Sequence, residues 1–159
     1  MELGERAQAN IVEFVDKANK LENLQLINCQ MLPEYLAKIC TVLDNSLSIQ
    51  SLSFAKNVLR NNPKVDIFAE TLTSMIKNTQ IFHLELNGMF IGDKGIEKII
   101  CEGVAASKTM AAVHFQDNRI SHWLRLKIYY RLKRNDSSAT PTVGADGNGQ
   151  KFDQSDEIF

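Results

Sequence analysis

Four nine-residue segments share one arrangement of apolar and polar positions: LENLQLINC (21–29), IQSLSFAKN (49–57), IFHLELNGM (81–89) and MAAVHFQDN (110–118). Each carries apolar residues at its first, fourth and sixth positions, and three of the four close on Asn or Cys. Their starts lie 28, 32 and 29 residues apart. Self-similarity at a near-constant period marks a repeated supersecondary unit. The alternation predicts a short strand in each unit, near 24–26, 52–54, 84–86 and 113–115. Leu24 and Leu26, Leu52 and Phe54, Leu84 and Leu86, and Val113 and Phe115 then face inward. The closing Asn falls where the chain leaves the sheet. Its side chain can satisfy turn backbone groups that would otherwise be orphaned. Met89 cannot do this, so the third turn needs help from Asn87 or Gly88.

Between strands the apolar period becomes helical. Leu36, Ile39, Cys40 and Leu43 mark one face of a helix, as do Phe68, Leu72, Met75 and Ile76, and then Ile96, Ile99, Ile100 and Val104. Pro33 and Pro63 stand just ahead of their helices, where a missing N–H costs little. Ile11, Phe14, Val15 and Ala18 predict an opening helix that packs through those residues. At the other end Ser121 can cap a helix whose inward residues are Leu124, Ile128 and Leu132. The expected architecture is α/β: a leucine-rich repeat solenoid over residues 1–134, a short horseshoe of about four repeats. Its parallel sheet lines the concave face, its helices lie on the convex face, and helical caps close both ends, the last at 121–134. Residues 135–159 are rich in Gly, Ser, Asp and Thr and read as a disordered acidic tail.

Composition narrows the class. A 159-residue chain with 44% hydrophobic and 23% charged residues is ordinary for one globular domain. It has no apolar run long enough to span a bilayer, and its start lacks the basic and apolar regions of a secretory signal. Cys29, Cys40 and Cys101 form no CxxC and cannot all pair, which points to buried thiols in a reducing compartment, the cytoplasm. The net charge of −1 conceals segregation. Residues 119–134 hold six basic residues and no acid, whereas 135–159 hold one lysine against five acids.

The repeat resembles the leucine-rich repeat family in its ribonuclease-inhibitor-like subclass. Within that subclass it looks most like the C-terminal repeat domain of tropomodulin and leiomodin. The shared features are the small residue after the second strand (Ala55), KNTQIFHLELN leading into the third, IGDKGI after it, and the basic closing helix RLKIYYRLKRN. The resemblance covers roughly residues 5–134. It implies an actin-associated, cytoskeletal protein that caps or nucleates at filament pointed ends.

Glu85 and His114 share a repeat position on adjacent strands, so a general base or half a metal site is conceivable, but a solvated cross-strand pair fits better. NGMFIGDKG lacks the spacing of a phosphate loop, so Gly92 and Gly95 read as turn and helix-start residues. No catalytic residue, metal ligand or cofactor is therefore expected, and the protein reads as a non-enzyme. Two binding surfaces remain. One is the basic helix, with Arg125, Lys127, Arg131, Lys133 and Arg134; Lys127, Arg131 and Arg134 were expected to form a cationic stripe opposite the inward face. The other is the concave face, with Gln25, Ser53, His83, Glu85 and His114. A protein partner is expected, actin by resemblance, or an unrelated protein held on the concave face by a general scaffold. Nucleic acid is disfavoured by the small cationic footprint. A membrane is disfavoured because the helix needs its apolar residues for the cap. The protein is expected to be a monomer.

Overall fold

The computed structural model describes residues 3–138, with side chains through Lys133. Four parallel strands, β1 (Asn23–Gln25), β2 (Ser51–Ser53), β3 (His83–Glu85) and β4 (Ala112–His114), form one sheet in chain order. Each ladder begins one residue before the expected strand, a shift within the normal uncertainty of element ends. The register is in phase with the repeat: Leu24, Leu52, Leu84 and Val113 are aligned across the sheet.

Behind the sheet run α1 (Glu5–Lys17), α2 (Pro33–Leu43), α3 (Val65–Asn78), α4 (Asp93–Glu97) and α5 (His122–Ser138). Each packs on the next, and α5 closes the series against the segment that continues α4. One core lies between the two layers. It takes Leu52, Phe54, Leu84 and Leu86 from the sheet side, with Leu36, Ile39, Leu72, Met75, Ile99 and Ile100 from the helices. The expected inward stripes of α2 and α3 are all buried.

The turns after the strands repeat in backbone conformation as well as in sequence. Asn28, Lys56, Gly88 and Asp117 occupy the same position in the four units, and all have φ between 54° and 67°. Their neighbours are tied by a recurring bond to the following unit: Asn28 N–H donates to the Ala55 carbonyl, Lys56 N–H to Asn87, and Gly88 N–H to Gln116.

Asn57 and Asn118 do what the pattern predicts, and reach further. The Asn57 amide donates to the carbonyls of Leu26 (2.5 Å) and Phe54 (2.8 Å), while its oxygen accepts from Met31 N–H at 2.9 Å. Asn118 donates to Leu86 and Phe115 and accepts from Ile91 N–H. Each asparagine thus serves its own turn and the one before. At the Met89 position the equivalent N–H, that of Leu59, is satisfied by the Met89 backbone carbonyl at 2.8 Å, and the thioether is fully buried. The Asn87 oxygen accepts from Gln116 N–H at 2.8 Å, which serves the turn of the following unit and not the groups an asparagine at position 89 would serve.

Three expectations change. Phe14 is 65% exposed; Val15 and the partly buried Ile11 pack inward as expected, joined by the buried Gln8, whose side-chain oxygen accepts from Leu32 N–H just before α2. Periodicity read Phe14 as core because a polar residue such as Gln8 scores as solvent-facing, although burial is tolerable once both its ends are bonded. Second, α5 extends to Ser138, four residues beyond the expected cap, because adding residues to a formed helix costs little. The rest of the expected disordered tail, 139–159, lies outside the described residues. Third, the helix over Ile96 to Val104 is not uniform. After α4 it passes through a π-helical turn (Lys98–Gly103) and a 3-10 turn (Val104–Ala106). Ile96, Ile99, Ile100 and Val104 nevertheless all stay buried.

Gly95 permits the close start of α4. A Cβ there would lie 2.4 Å from Ile91 Cγ2, a β-branched atom with little freedom to move. Alanine is the better helix former by up to about 1 kcal/mol, but overpacking costs roughly 1–3 kcal/mol. Gly95→Ala should therefore lower stability, seen as a reduced urea midpoint. A raised midpoint would show that Ile91 yields freely.

Candidate protein-binding surfaces

The face of the sheet turned away from the helices presents Asn23 and Gln25, Ser51 and Ser53, His83 and Glu85, and Ala112 and His114 in register. Parallel pairing at equal offsets makes these side chains neighbours, and they bond to one another. Ser53 donates its hydroxyl to Glu85 Oε2 at 2.7 Å and is only 2% exposed. Ser51 Oγ and His83 Nδ1 are 3.0 Å apart. Asn87 Nδ2 approaches Glu85 Oε1 at 3.4 Å. The His83 and His114 rings meet edge to face, with centroids 5.2 Å apart.

Structure therefore brings Ser53, His83, Glu85 and His114 together, with Gln25 exposed beside Ser53 on the neighbouring strand. Glu85 and His114 are register partners as expected, and the Glu85 carboxylate also meets Ser53 and Asn87. Ser53 is correspondingly unavailable as a surface contact. Among the described residues, no three His, Cys, Asp or Glu side chains converge to hold a metal ion. A depression of about 350 Å³ lies between α1 and α2, lined by Val12, Glu13, Asp16, Tyr35 and Lys38 among others. Lys38 lies over the Tyr35 ring there.

Cys40 and Cys101 occupy settings that keep their thiols protonated. Cys40 is fully buried and its thiol is pushed far up by burial and by the nearby Asp44 carboxylate. Cys101 is half-buried, and burial followed by the Glu97 charge raises it, against the opposing fields of Lys127 and Arg131. A raised thiol has little of the nucleophilic thiolate.

Ser121 starts α5 as expected, its Oγ accepting from Leu124 N–H at 3.2 Å. Leu124 and Ile128 are then buried, and Leu132 is partly so. Successive side chains turn by about 100°, which places Lys127 and Arg131 to one side of this buried stripe and not opposite it. Lys127 reaches back to Glu97 at 2.5 Å, and that carboxylate holds the ammonium above its usual pKa. Lys133 lies against Tyr129, with its Nζ 5.6 Å from the ring centroid. Arg125 and Arg131 are exposed; the Arg134 side chain is outside the described residues. What stands opposite the buried stripe is apolar: Trp123 (74% exposed), Leu126 (39%) and Tyr130 (63%). Their i, i+3, i+7 spacing marks a second apolar stripe, so the cap does not use all the apolar residues of this helix.

The Lys127–Glu97 pair belongs to a series. Glu34 meets Lys64, Asp66 meets Lys94, and the Asp93 carboxylate accepts from Ser121 N–H, every link joining one unit to the next. Glu34, Asp66 and Asp93 stand in the first turns of their helices, where the helix dipole also favours them. Burial works against the charge on Glu34, but its own backbone N–H and Lys64 outweigh this and lower its pKa.

No protein-family model matches the chain, and no curated protein matches its sequence. A solved structure does match. The fold is similar to that of the tropomodulin C-terminal domain. The comparison is with that domain from Caenorhabditis elegans, at a TM-score of 0.60 and 14% identity, covering 79% of this chain and 93% of that one. At such low identity the likeness to tropomodulin is one of fold. It matches the mixed α/β arrangement of the described residues, with a four-stranded parallel sheet and five α-helices. No described helix is long and apolar enough to cross a membrane.

Proposed function

We propose that this chain is a non-catalytic protein-binding module of the leucine-rich repeat type, associated with actin and the cytoskeleton in the cytoplasm. In this reading it limits or promotes growth at filament pointed ends through α5. The observation that carries the reading is the likeness of fold to a tropomodulin C-terminal domain. The solenoid part is supported by strands stacked in chain order and by turns that repeat both φ and hydrogen bonding. The choice of α5 is supported by the arginines it exposes and by the state of the sheet face. There Ser51, Ser53, His83, Glu85 and Asn87 already bond among themselves, and the outward positions of β1–β4 hold no Trp, Tyr, Phe or Arg anchor.

The test is elongation of pyrene-labelled actin from seeds with blocked barbed ends. Micromolar protein is expected to change pointed-end growth, more weakly as salt is raised. Arg125→Glu with Arg131→Glu should abolish the effect. Lys127 is left intact because its reversal would oppose Glu97 and disturb the cap. No change in growth at tens of micromolar protein would overturn the actin reading. A binding scaffold that uses the sheet face would then be the reading to pursue, through Glu85→Arg.

A further inference from the structure

We infer that the outer face of α5 is a docking surface for an anionic lipid bilayer. A helix that only capped the core would need one apolar stripe. This one has two. Leu124 and Ile128 are spent on the core at 2% and 4% exposure, whereas Trp123, Leu126 and Tyr130 project on the opposite side. The objection that the cap consumes the apolar residues of this helix therefore falls away.

Three properties select a charged bilayer as the occupant. First, the stripe lies on the last described helix of the series, on the side away from the elements that pack against α5, so a plane can reach it without a matching groove. Second, two of its three members are Trp and Tyr, whose apolar bodies and polar ends suit the headgroup boundary. Third, Lys127 and Lys133 border the stripe on either side by helical spacing, and the exposed Arg125 and Arg131 lie further round the helix, next to the buried stripe. Residues 119–134 contain no acid to oppose a negative surface. Long basic side chains can lie along the boundary and keep their charges among the headgroups. An apolar face flanked by cations on a surface helix is the arrangement that lies in the plane of an anionic membrane. The Glu97 carboxylate, which holds Lys127, weakens one border without removing it.

This does not rest on the actin reading, and the protein carries its own reporter, since Trp123 is the single tryptophan. The full chain would be titrated with phosphatidylcholine vesicles containing about one-third phosphatidylserine, an anionic surface of the kind that attracts basic segments. The expected result is a blue shift of Trp123 emission and co-sedimentation with the vesicles. Both should be weak with pure phosphatidylcholine and weaker in high salt. Leu126→Ser with Tyr130→Ser, both at exposed positions, should keep the far-UV circular dichroism and lose the binding. Arg125→Gln with Lys133→Gln should reduce affinity about fivefold per charge. The inference is overturned by an unshifted spectrum at millimolar lipid, by equal binding to neutral vesicles, or by binding that survives the Leu126 and Tyr130 substitutions. A shift produced by actin and not by vesicles would also overturn it, and would assign the stripe to a protein partner.

Discussion

Replacing Asn57 with alanine should destabilise the protein by about 4 kcal/mol. The side chain is fully buried, and its three hydrogen bonds tie two turns from adjacent units. Alanine leaves Met31 N–H and the carbonyls of Leu26 and Phe54 without that partner. Each buried group left unsatisfied costs about 1–3 kcal/mol, partly recovered if water enters. Against a typical total of roughly 5–15 kcal/mol, such a loss is severe. Urea denaturation followed by circular dichroism would measure it. Asn57→Asp keeps the acceptor but loses both donor bonds and buries a charge, so it should be no better. Met89→Asn supplies the internal control. That position already satisfies Leu59 through its backbone, so an added amide should destabilise the fold. A loss below about 1 kcal/mol for Asn57→Ala would place the bonds within the range of ordinary exposed ones and sink the account.

Truncating Phe54 to alanine should cost a similar amount, about 4 kcal/mol, by a different route. Its ring has no exposure and meets Phe68 of α3 edge to face, with centroids 5.9 Å apart. It therefore joins the sheet layer to the helix layer in the middle of the series. Alanine removes the buried apolar area and leaves a void between layers that are held by their own hydrogen bonds and close only partly. Phe54→Leu retains most of the volume and should cost about 1 kcal/mol. Thermal unfolding of both variants would separate the two accounts. Equal losses for Leu and Ala would mean that the aromatic contact matters and the filled volume does not.

Much of the fold was legible because its signals are local. Periods of two and 3.6 follow from strand and helix geometry, so the inward leucines and the stripes of α2 and α3 could be placed before any contact was known. The asparagine turns were legible for a similar reason: a chain leaving a sheet orphans backbone groups, and an amide can serve them. The strand ends were off by one residue, since ladder boundaries depend on the neighbouring strand. The candidate site was less legible. Ser53 looked like a surface contact until its neighbour Glu85, 32 residues on, took its hydroxyl. The likeness to a tropomodulin domain was anticipated from short segments such as KNTQIFHLELN and IGDKGI, yet it reaches the finished fold at only 14% identity.

By itself, the sequence determined that four units of one design follow each other and which residues of each strand face inward. Tertiary structure decided who meets whom. Asn57 could be read as a turn residue, but only the stacking of units gave it Met31 N–H, 26 residues earlier. Lys127 could be read as a surface cation, but only the docking of α5 brought it to Glu97. That docking also chose between two apolar stripes on one helix, burying Leu124 and Ile128 and leaving Trp123, Leu126 and Tyr130 outside. Spacing is a property of one element and cannot rank its own faces. Burial depends on the surface a face meets, and that surface is supplied by residues far away in the chain.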